Sequence, residues 1–151
     1  MTLPADNQIL ITRDFDAPRH LVYRAWTTPE LIRRWWSGDR GQVTSAEVDL
    51  RVGGSWRYVM TANAGFEVAF HGEYREIVPN ERLVSTEVYE GAPEAPALTT
   101  LTLTERDGRT TLSILVEHRD RASRDLHVES GMEAGLQESL DKLELLARSL
   151  A

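Results

Sequence analysis

The chain has 151 residues, of which 24 are acidic and 17 basic, with a net charge of −7 and no cysteine. This length is typical of one domain, residues 1–151, that can bury a sizeable core. The lack of cysteine excludes disulfides, thiolate nucleophiles and cysteine-bound metals. The acidic surface, with no cluster of Lys and Arg among aromatic residues, predicts that nucleic acid is not a partner.

The N-terminal segment, residues 1–6, contains neither a basic stretch nor an apolar run, which predicts no secretory signal. No apolar stretch approaches the roughly 20 residues that are needed to cross a bilayer. The sequence therefore predicts a cytoplasmic protein that has no membrane partner.

The chain begins with a predicted strand and two short helices. Apolar residues alternate with polar ones over Gln8–Phe15, which predicts the strand. Pro18 is tolerated in a first helical turn and starts a helix that ends near Trp26. The Thr-Pro-Glu sequence at 28–30 repeats this start signal, which predicts a second helix ending near Trp36.

Residues 44–118 alternate between short apolar segments and turn sequences, which predicts six consecutive strands. The turns and loops are Gly53-Gly54, Asn63-Ala64-Gly65, Val78-Pro79-Asn80-Glu81, residues 90–96 and Asp107-Gly108. Strands at this spacing predict an antiparallel meander, with the strand at 8–15 added at one end. The Gly53-Gly54 hairpin has two registers: one turns Asp49 inward, and the other turns Val48 and Leu50 inward.

The Asp-Gly sequence at 107–108 is the strongest turn signal, because both central positions of a type I′ turn need positive φ. A two-residue turn pairs Leu103 with Leu112 and Leu101 with Ile114, so both apolar alternations fall on one face of the sheet.

The same pairing rule, applied to the other hairpins, places Tyr58 opposite Phe70 and Phe70 opposite Tyr89. It predicts one row of residues across the inner face of the sheet. That row is Trp56, Gly72, Glu87, Leu101 and Ile114.

Residues 124–149 are predicted to form one long C-terminal helix. Asp125 in its first turn and Arg148 in its last both favour the helix dipole. The stripe that recurs at about 100° per residue consists of Val128, Met132, Leu136, Ser139, Leu140, Leu143, Ala147 and Leu150. A single stripe implies one buried face, and the inner face of the sheet is its available partner. Leu145 projects from the opposite, charged face, which leaves a homodimer through that face open.

These segments resemble the START-like superfamily, and within it the group named after the activator of heat-shock-protein-90 ATPase. The resemblance is carried in order by Tyr23-Arg-Ala-Trp-Thr-Thr-Pro-Glu-Leu31, Arg34-Trp35-Trp36, Asp49-Leu-Arg-Val-Gly-Gly54, Trp56-Arg-Tyr-Val-Met60, Gly72-Glu-Tyr-Arg-Glu-Ile-Val-Pro79, Glu81-Arg-Leu-Val84, Gly131-Met-Glu-Ala-Gly135 and Ser139-Leu-Asp-Lys-Leu143.

The resemblance implies an α+β helix-grip fold of the START-like or Bet v 1-like kind. In this fold a curved antiparallel sheet of about seven strands, with two short helices, encloses a cavity against a long C-terminal helix. Members of the superfamily bind lipids, hormones and polyketides, and a few catalyse cyclisation or hydration in the cavity.

Glu87 is the most informative polar residue, because the inferred register places its carboxylate on the inner face. A buried carboxylate is costly unless it is hydrogen-bonded, paired or facing a wet cavity. We interpret it as a polar anchor for a ligand or a general acid/base. The structural alternatives are a slipped register that leaves it in solvent, or a pair with Arg57 or Tyr89. Gly72 beside it indicates either room for a ring or ligand, or a β-bulge.

His118 and Glu129 are the second candidate pair. His118 ends an inward-facing alternation, and Glu129 projects onto the apolar stripe at the N-terminal end of the long helix. Together they would form an acid/base pair or a partly exposed ion pair. Because His20, His71 and His127 share no ligand spacing with His118, no zinc site is predicted.

The resulting functional prediction is a binding protein for an apolar or cyclic small molecule, with no assigned catalytic residue, metal or cofactor. The predicted cavity lining is Trp36, Trp56, Tyr58, Met60, Phe70, Glu87, Tyr89, Leu101, Ile114, His118, Met132 and Leu136. One alternative is a cofactor-independent cyclase or hydratase acting on a polyketide-like substrate, in which Glu87 or His118 moves protons.

The other alternative is a stress-related interaction protein or co-chaperone with a collapsed cavity. The interaction protein would bind its partner through an edge strand or a helix surface. The name of the group implies the co-chaperone role, which we do not expect, because 151 residues leave no room for the separate N-terminal chaperone-binding domain of the eukaryotic activators.

Overall fold

The computed structural model describes residues 1–151 as seven strands and four helices, which confirms the predicted α+β helix-grip fold. The strands are β1 (Gln8–Phe15), β2 (Gly41–Val48), β3 (Ser55–Ala62), β4 (Glu67–Val78), β5 (Arg82–Tyr89), β6 (Ala97–Arg106) and β7 (Arg109–Glu117). The helices are α1 (Arg19–Thr27), α2 (Pro29–Trp35), α3 (Arg121–Glu129) and α4 (Met132–Ser149). None of these helices is both long and apolar enough to span a membrane.

The sheet has the predicted topology. Its strand order is β1-β7-β6-β5-β4-β3-β2, and every neighbouring pair is antiparallel. The strands β2 to β7 therefore form a meander, and β1 adds to its β7 edge. Short turns between successive strands explain this order, because a hairpin leaves the next strand beside the previous one.

The Asp-Gly hairpin has the predicted register. Asp107 and Gly108 have φ values of 53° and 76°, as a type I′ turn requires. Leu101 pairs with Ile114, and both side chains are buried on the inner face of the sheet. The predicted pairs of Tyr58 with Phe70 and of Phe70 with Tyr89 are also confirmed.

The predicted row across the sheet is wrong at the step from β5 to β6. Glu87 pairs with Ala97, and Leu101 pairs with Leu83. The long loop that joins these strands does not fix the register as a two-residue turn does. The slip, from Leu101 to Ala97, is an even number of residues, so it leaves every side chain on its predicted face. Glu87 therefore remains on the inner face.

The Gly53-Gly54 hairpin adopts the register that turns Val48 inward. Val48 pairs with Trp56 and packs against the core. Asp49 is exposed, and its carboxylate accepts a hydrogen bond from Arg51 at 2.9 Å. The inward placement of Leu50 is wrong, since Leu50 follows the end of β2 and is 41% exposed.

The predicted helix over 124–149 is interrupted, although a long C-terminal helix is present as α4. The chain leaves helical geometry at Ser130-Gly131, where Gly131 has a φ of 81°. Glycine adopts this left-handed conformation without the steric penalty of a side chain. The segment before the break is a separate helix, α3, which begins one turn earlier than predicted because the Asp120 side chain accepts a hydrogen bond from the Ser123 backbone at 2.8 Å.

The C-terminal half of α4 closes the core. Leu140, Leu143 and Ala147 are fully buried there, and α4 packs against α1 and α2. Arg13 ties β1 to the same helix through Asp141 at 2.7 Å and Glu144 at 3.2 Å. This half of the molecule is therefore closely packed, which places any internal space towards the N-terminal end of α4.

Candidate ligand-binding site

A cavity of about 1100 Å³ lies between the inner face of the sheet and the helices α3 and α4. Met132 and Leu136, in the first half of α4, are only half-buried and face it. Gly135 and Ser139, on the same side of the helix, also border it. The volume is in the range of small-molecule sites, and most lining residues are hydrophobic.

Every predicted lining residue borders this cavity. The structure brings together Trp36, Trp56, Tyr58, Met60, Phe70, Glu87, Tyr89, Leu101, Ile114, His118, Met132 and Leu136. For the members that lie in β3 to β7, the shared location follows from side-chain alternation, because every second residue of each strand points to the inner face. Whether they contact a ligand stays a prediction.

Aromatic rings form a continuous wall on the side of the cavity made by α2, β3, β4 and β5. Trp36 packs edge-on against Tyr58 and Phe70, with ring centroids 5.3 and 5.6 Å apart. Phe70 lies 5.2 Å from Tyr89, and Tyr58 lies 4.7 Å from Trp56. These contacts fix the ring orientations, so the wall is preorganised.

Glu87 projects into the cavity beside this wall. Thr99 donates a hydrogen bond to its Oε2 atom at 3.0 Å. Burial raises the pKa of the Glu87 carboxyl, and the Thr99 hydrogen bond and the charge of His118 oppose this shift only in part. The structural alternatives are wrong: the side chain is not on the outer face, Arg57 forms its ion pair with Glu90 at 2.9 Å, and the hydrogen bond of Glu87 is with Thr99 and not with Tyr89.

Gly72 does not provide room for a ligand. A side chain at this position would collide with the Thr86 carbonyl oxygen, and the Trp56 Nε1 atom lies 2.6 Å from the site of its Cβ. The Glu73 amide donates to the Thr86 hydroxyl at 2.9 Å, and the β4–β5 register shifts just beyond, after Tyr74. Gly72 therefore allows a close backbone approach at an irregular pair of strands and leaves room for the Trp56 ring.

His118 pairs with His127, a partner that the sequence did not indicate. The His118 Nε2 and His127 Nδ1 atoms are 3.0 Å apart, whereas His118 Nδ1 is buried without a partner. Burial lowers the pKa of both imidazoles, and His127 lowers that of His118 further. The predicted pair of His118 with Glu129 is wrong, because Glu129 is exposed and forms no ion pair.

This histidine pair holds α3 over one end of the cavity. On the same helix, Arg124 is buried and donates to the Ala5 carbonyl oxygen at 3.0 Å. The prediction missed the contact because His127 was assigned to the long helix, which the turn at Gly131 divides. No group of three His, Asp or Glu side chains is arranged to hold a metal ion.

Exposed apolar side chains border the mouth of the cavity. Phe66 is 60% exposed, Leu126 is 69% exposed, and Tyr89 is 44% exposed. Phe66 and Leu126 were not predicted, because neither belongs to a buried stripe. They leave an apolar path between solvent and the interior.

The outer face of the sheet differs in character. Its depression of about 460 Å³ is lined mainly by polar residues of β1, β5, β6 and β7. Elsewhere on this face, Arg57 and His71 both bond to Glu90 at 2.9 Å and lower the pKa of that carboxyl to about 2. The apolar cavity is therefore confined to the inner face.

Comparisons with known proteins agree with this architecture. A protein from Chromobacterium violaceum is 32% identical over 95% of this chain and 98% of its own, with a TM-score of 0.81. A protein from Nitrosomonas europaea is 26% identical over 97% of each chain, with a TM-score of 0.88. An AHSA1-like protein from Aeromonas hydrophila is 21% identical over 94% of each chain, with a TM-score of 0.71, and shows the fold alone.

No curated protein matches the sequence significantly. The family model described as activator of Hsp90 ATPase homolog 1-like protein matches residues 16–148, which include the cavity residues of the sheet and both C-terminal helices. The chain therefore belongs to the activator of Hsp90 ATPase homolog 1-like family.

Proposed function

We propose that this protein is a cytoplasmic binding protein for an apolar or cyclic small molecule, which it holds between the sheet and α4. The observation that carries the proposal is the 1100 Å³ cavity with its largely hydrophobic lining. A concave, mainly apolar surface of this kind favours transfer of an apolar compound out of water. The aromatic wall supports the same function, because its mutually packed rings require little reordering on binding.

Pyrene is a suitable probe, because it is cyclic, uncharged and without polar groups, and its fluorescence reports the polarity of its surroundings. We expect the wild-type protein to bind it with a saturable change in fluorescence. Ser85→Phe places a ring on the cavity floor, since Ser85 lies on the inner face of β5 and borders the cavity. Pyrene affinity should fall at least tenfold, because the added ring occupies the site.

Ser113→Phe is the matched control, because Ser113 lies on the outer face of β7. This variant should bind pyrene as the wild type does. Met132→Trp fills the cavity from the α4 side and tests the site independently if Ser85→Phe unfolds. Circular dichroism verifies the fold of each variant. Failure of the wild type to bind pyrene, or equal binding by all variants, would contradict the proposal.

A further inference from the structure

The cavity contains one charged side chain that is not exposed. Its other charged residues, Asp39, Arg40, Glu94 and Arg119, are exposed at the rim. Among these, Asp39 pairs with Lys142 and Arg40 pairs with Glu138, at 3.2 and 3.1 Å. Glu87 forms no ion pair with the protein. The interior of the cavity therefore contains a carboxyl group that no Lys or Arg side chain pairs with.

One oxygen of Glu87 remains available to a ligand. Oε2 accepts the hydrogen bond from Thr99, whereas no protein group donates to Oε1. The only buried side-chain nitrogen or oxygen atoms without a partner are Trp56 Nε1 and His118 Nδ1. Oε1 also lacks a partner but is not one of these buried atoms, so it is accessible. The only space that adjoins it on the inner face is the cavity.

The neighbours of Glu87 favour a cation over an anion. On the inner face it adjoins Tyr89 on its own strand and lies diagonally across from Phe70 and Tyr74 on β4. The negative faces of aromatic rings attract ammonium groups, most strongly where water is excluded. Neither Lys nor Arg lies inside the cavity to hold an acidic ligand.

We infer that the cavity selects ligands that join an apolar ring system to a protonated amine, with the ammonium group bound to Glu87 Oε1. The inference rests on the proposed binding function and specifies its ligand class. A bound ammonium would offset the desolvation of the carboxylate, because a charge-assisted hydrogen bond replaces its lost hydration. The ring system would occupy the space along the aromatic wall.

Two pyrene derivatives of nearly equal shape test this selectivity. 1-Pyrenemethylamine has an ammonium group where 1-pyrenemethanol has a hydroxyl group. We expect the wild-type protein to bind the amine at least tenfold more tightly, as measured by fluorescence titration at pH 7. Glu87→Gln keeps the shape and removes the charge, so it should weaken amine binding about tenfold and leave alcohol binding within twofold.

Glu67→Gln is the matched control for the net charge of the protein. Glu67 lies on the outer face of β4, is exposed and forms no side-chain bond, so its loss should change neither affinity. The inference would be overturned if the wild type bound amine and alcohol with equal affinity, or if Glu87→Gln weakened the binding of both equally. In either case, binding of pyrene itself would still support the proposed function. A failure of pyrene itself to bind would overturn both.

Discussion

Glu87 differs from the polar groups that hold the fold together, because a single hydroxyl is its only protein partner. We therefore expect Glu87→Leu to leave the free energy of unfolding unchanged or to raise it, since the change removes a half-buried carboxyl from beside the aromatic wall. The same variant should lose its preference for the amine probe. Urea denaturation measures the first effect, and a loss of about 1–3 kcal/mol would show instead that Glu87 is a structural anchor.

The difference in stability between the wild type and Glu87→Leu should change with pH in one direction. Since burial raises the pKa of Glu87, the folded protein binds a proton more readily than the unfolded chain. Above pH 4.5, where the unfolded carboxyl ionises, the wild type loses stability relative to Glu87→Leu as the pH rises. The difference becomes constant once the folded carboxyl has also ionised. A difference that shrinks with rising pH would contradict a buried, weakly partnered carboxyl.

The break between α3 and α4 depends on the left-handed backbone conformation of Gly131. Gly131→Ala should lower the free energy of unfolding by about 1–2 kcal/mol, because alanine is strained at a φ of 81°. Gly135→Ala, one turn into α4, should raise it by about 0.5–1 kcal/mol, because alanine is the better helix former. Its Cβ would contact only the flexible Arg40 side chain, at 3.3 Å.

This pair uses the same substitution four residues apart, so chain composition is matched and only the backbone conformation differs. Urea denaturation monitored by circular dichroism gives both values. Destabilisation by both substitutions would show that Gly135 is needed for packing, whereas stabilisation by both would show that α3 and α4 can join into one helix.

The boundary between α3 and α4 could not be predicted from the periodicity of apolar residues. An apolar stripe at helical spacing continues through Gly131, from Val128 to Met132, and therefore favours one helix. The stripe does not report the backbone torsion at glycine, which decides whether the helix continues. The Ser130-Gly131 pair was the available signal, since glycine often follows the end of a helix.

Across the whole molecule, the predicted strand order is confirmed, whereas the accuracy of a predicted strand register depends on the length of the connecting loop. The turn at Asp107-Gly108 fixes the β6–β7 register through two residues. The loop at 90–96 leaves the β5–β6 register free, and the predicted Glu87–Leu101 pair is wrong. The inner face was still predicted, because the core selects alternate residues and an even slip preserves them.

The contact between α3 and the end of β7 could not be predicted from the sequence. His118 and His127 approach one another only because α3 turns away from α4. The homodimer through the outer face of α4 likewise stays a prediction, with Leu145 66% exposed on that face. Such contacts depend on how helices and strands pack against one another. The periodicity of side chains within one helix or strand does not specify this packing.

The histidine pair predicts how the stability of the whole molecule changes with pH. Because burial lowers the pKa of His118 and His127, the unfolded chain binds protons more readily than the folded protein below pH 6.5. The free energy of unfolding should therefore fall as the pH decreases from 7.5, with each imidazole adding at most about 1.4 kcal/mol per pH unit. Both imidazoles are only half-buried, so screening by solvent reduces the contribution of each.

His127→Asn tests this prediction, because an asparagine side chain can still hydrogen-bond His118 Nε2 but does not titrate. Around His118, Glu87 and Asp120 favour protonation, whereas Arg124 opposes it. The pH dependence of stability that remains in the variant therefore reflects all of these charges acting on His118. We expect the stability of His127→Asn to depend less on pH between 7.5 and 5.5 than that of the wild type. His20→Asn, an exposed site, should keep the wild-type slope, and equal slopes in all three proteins would contradict a buried, neutral pair.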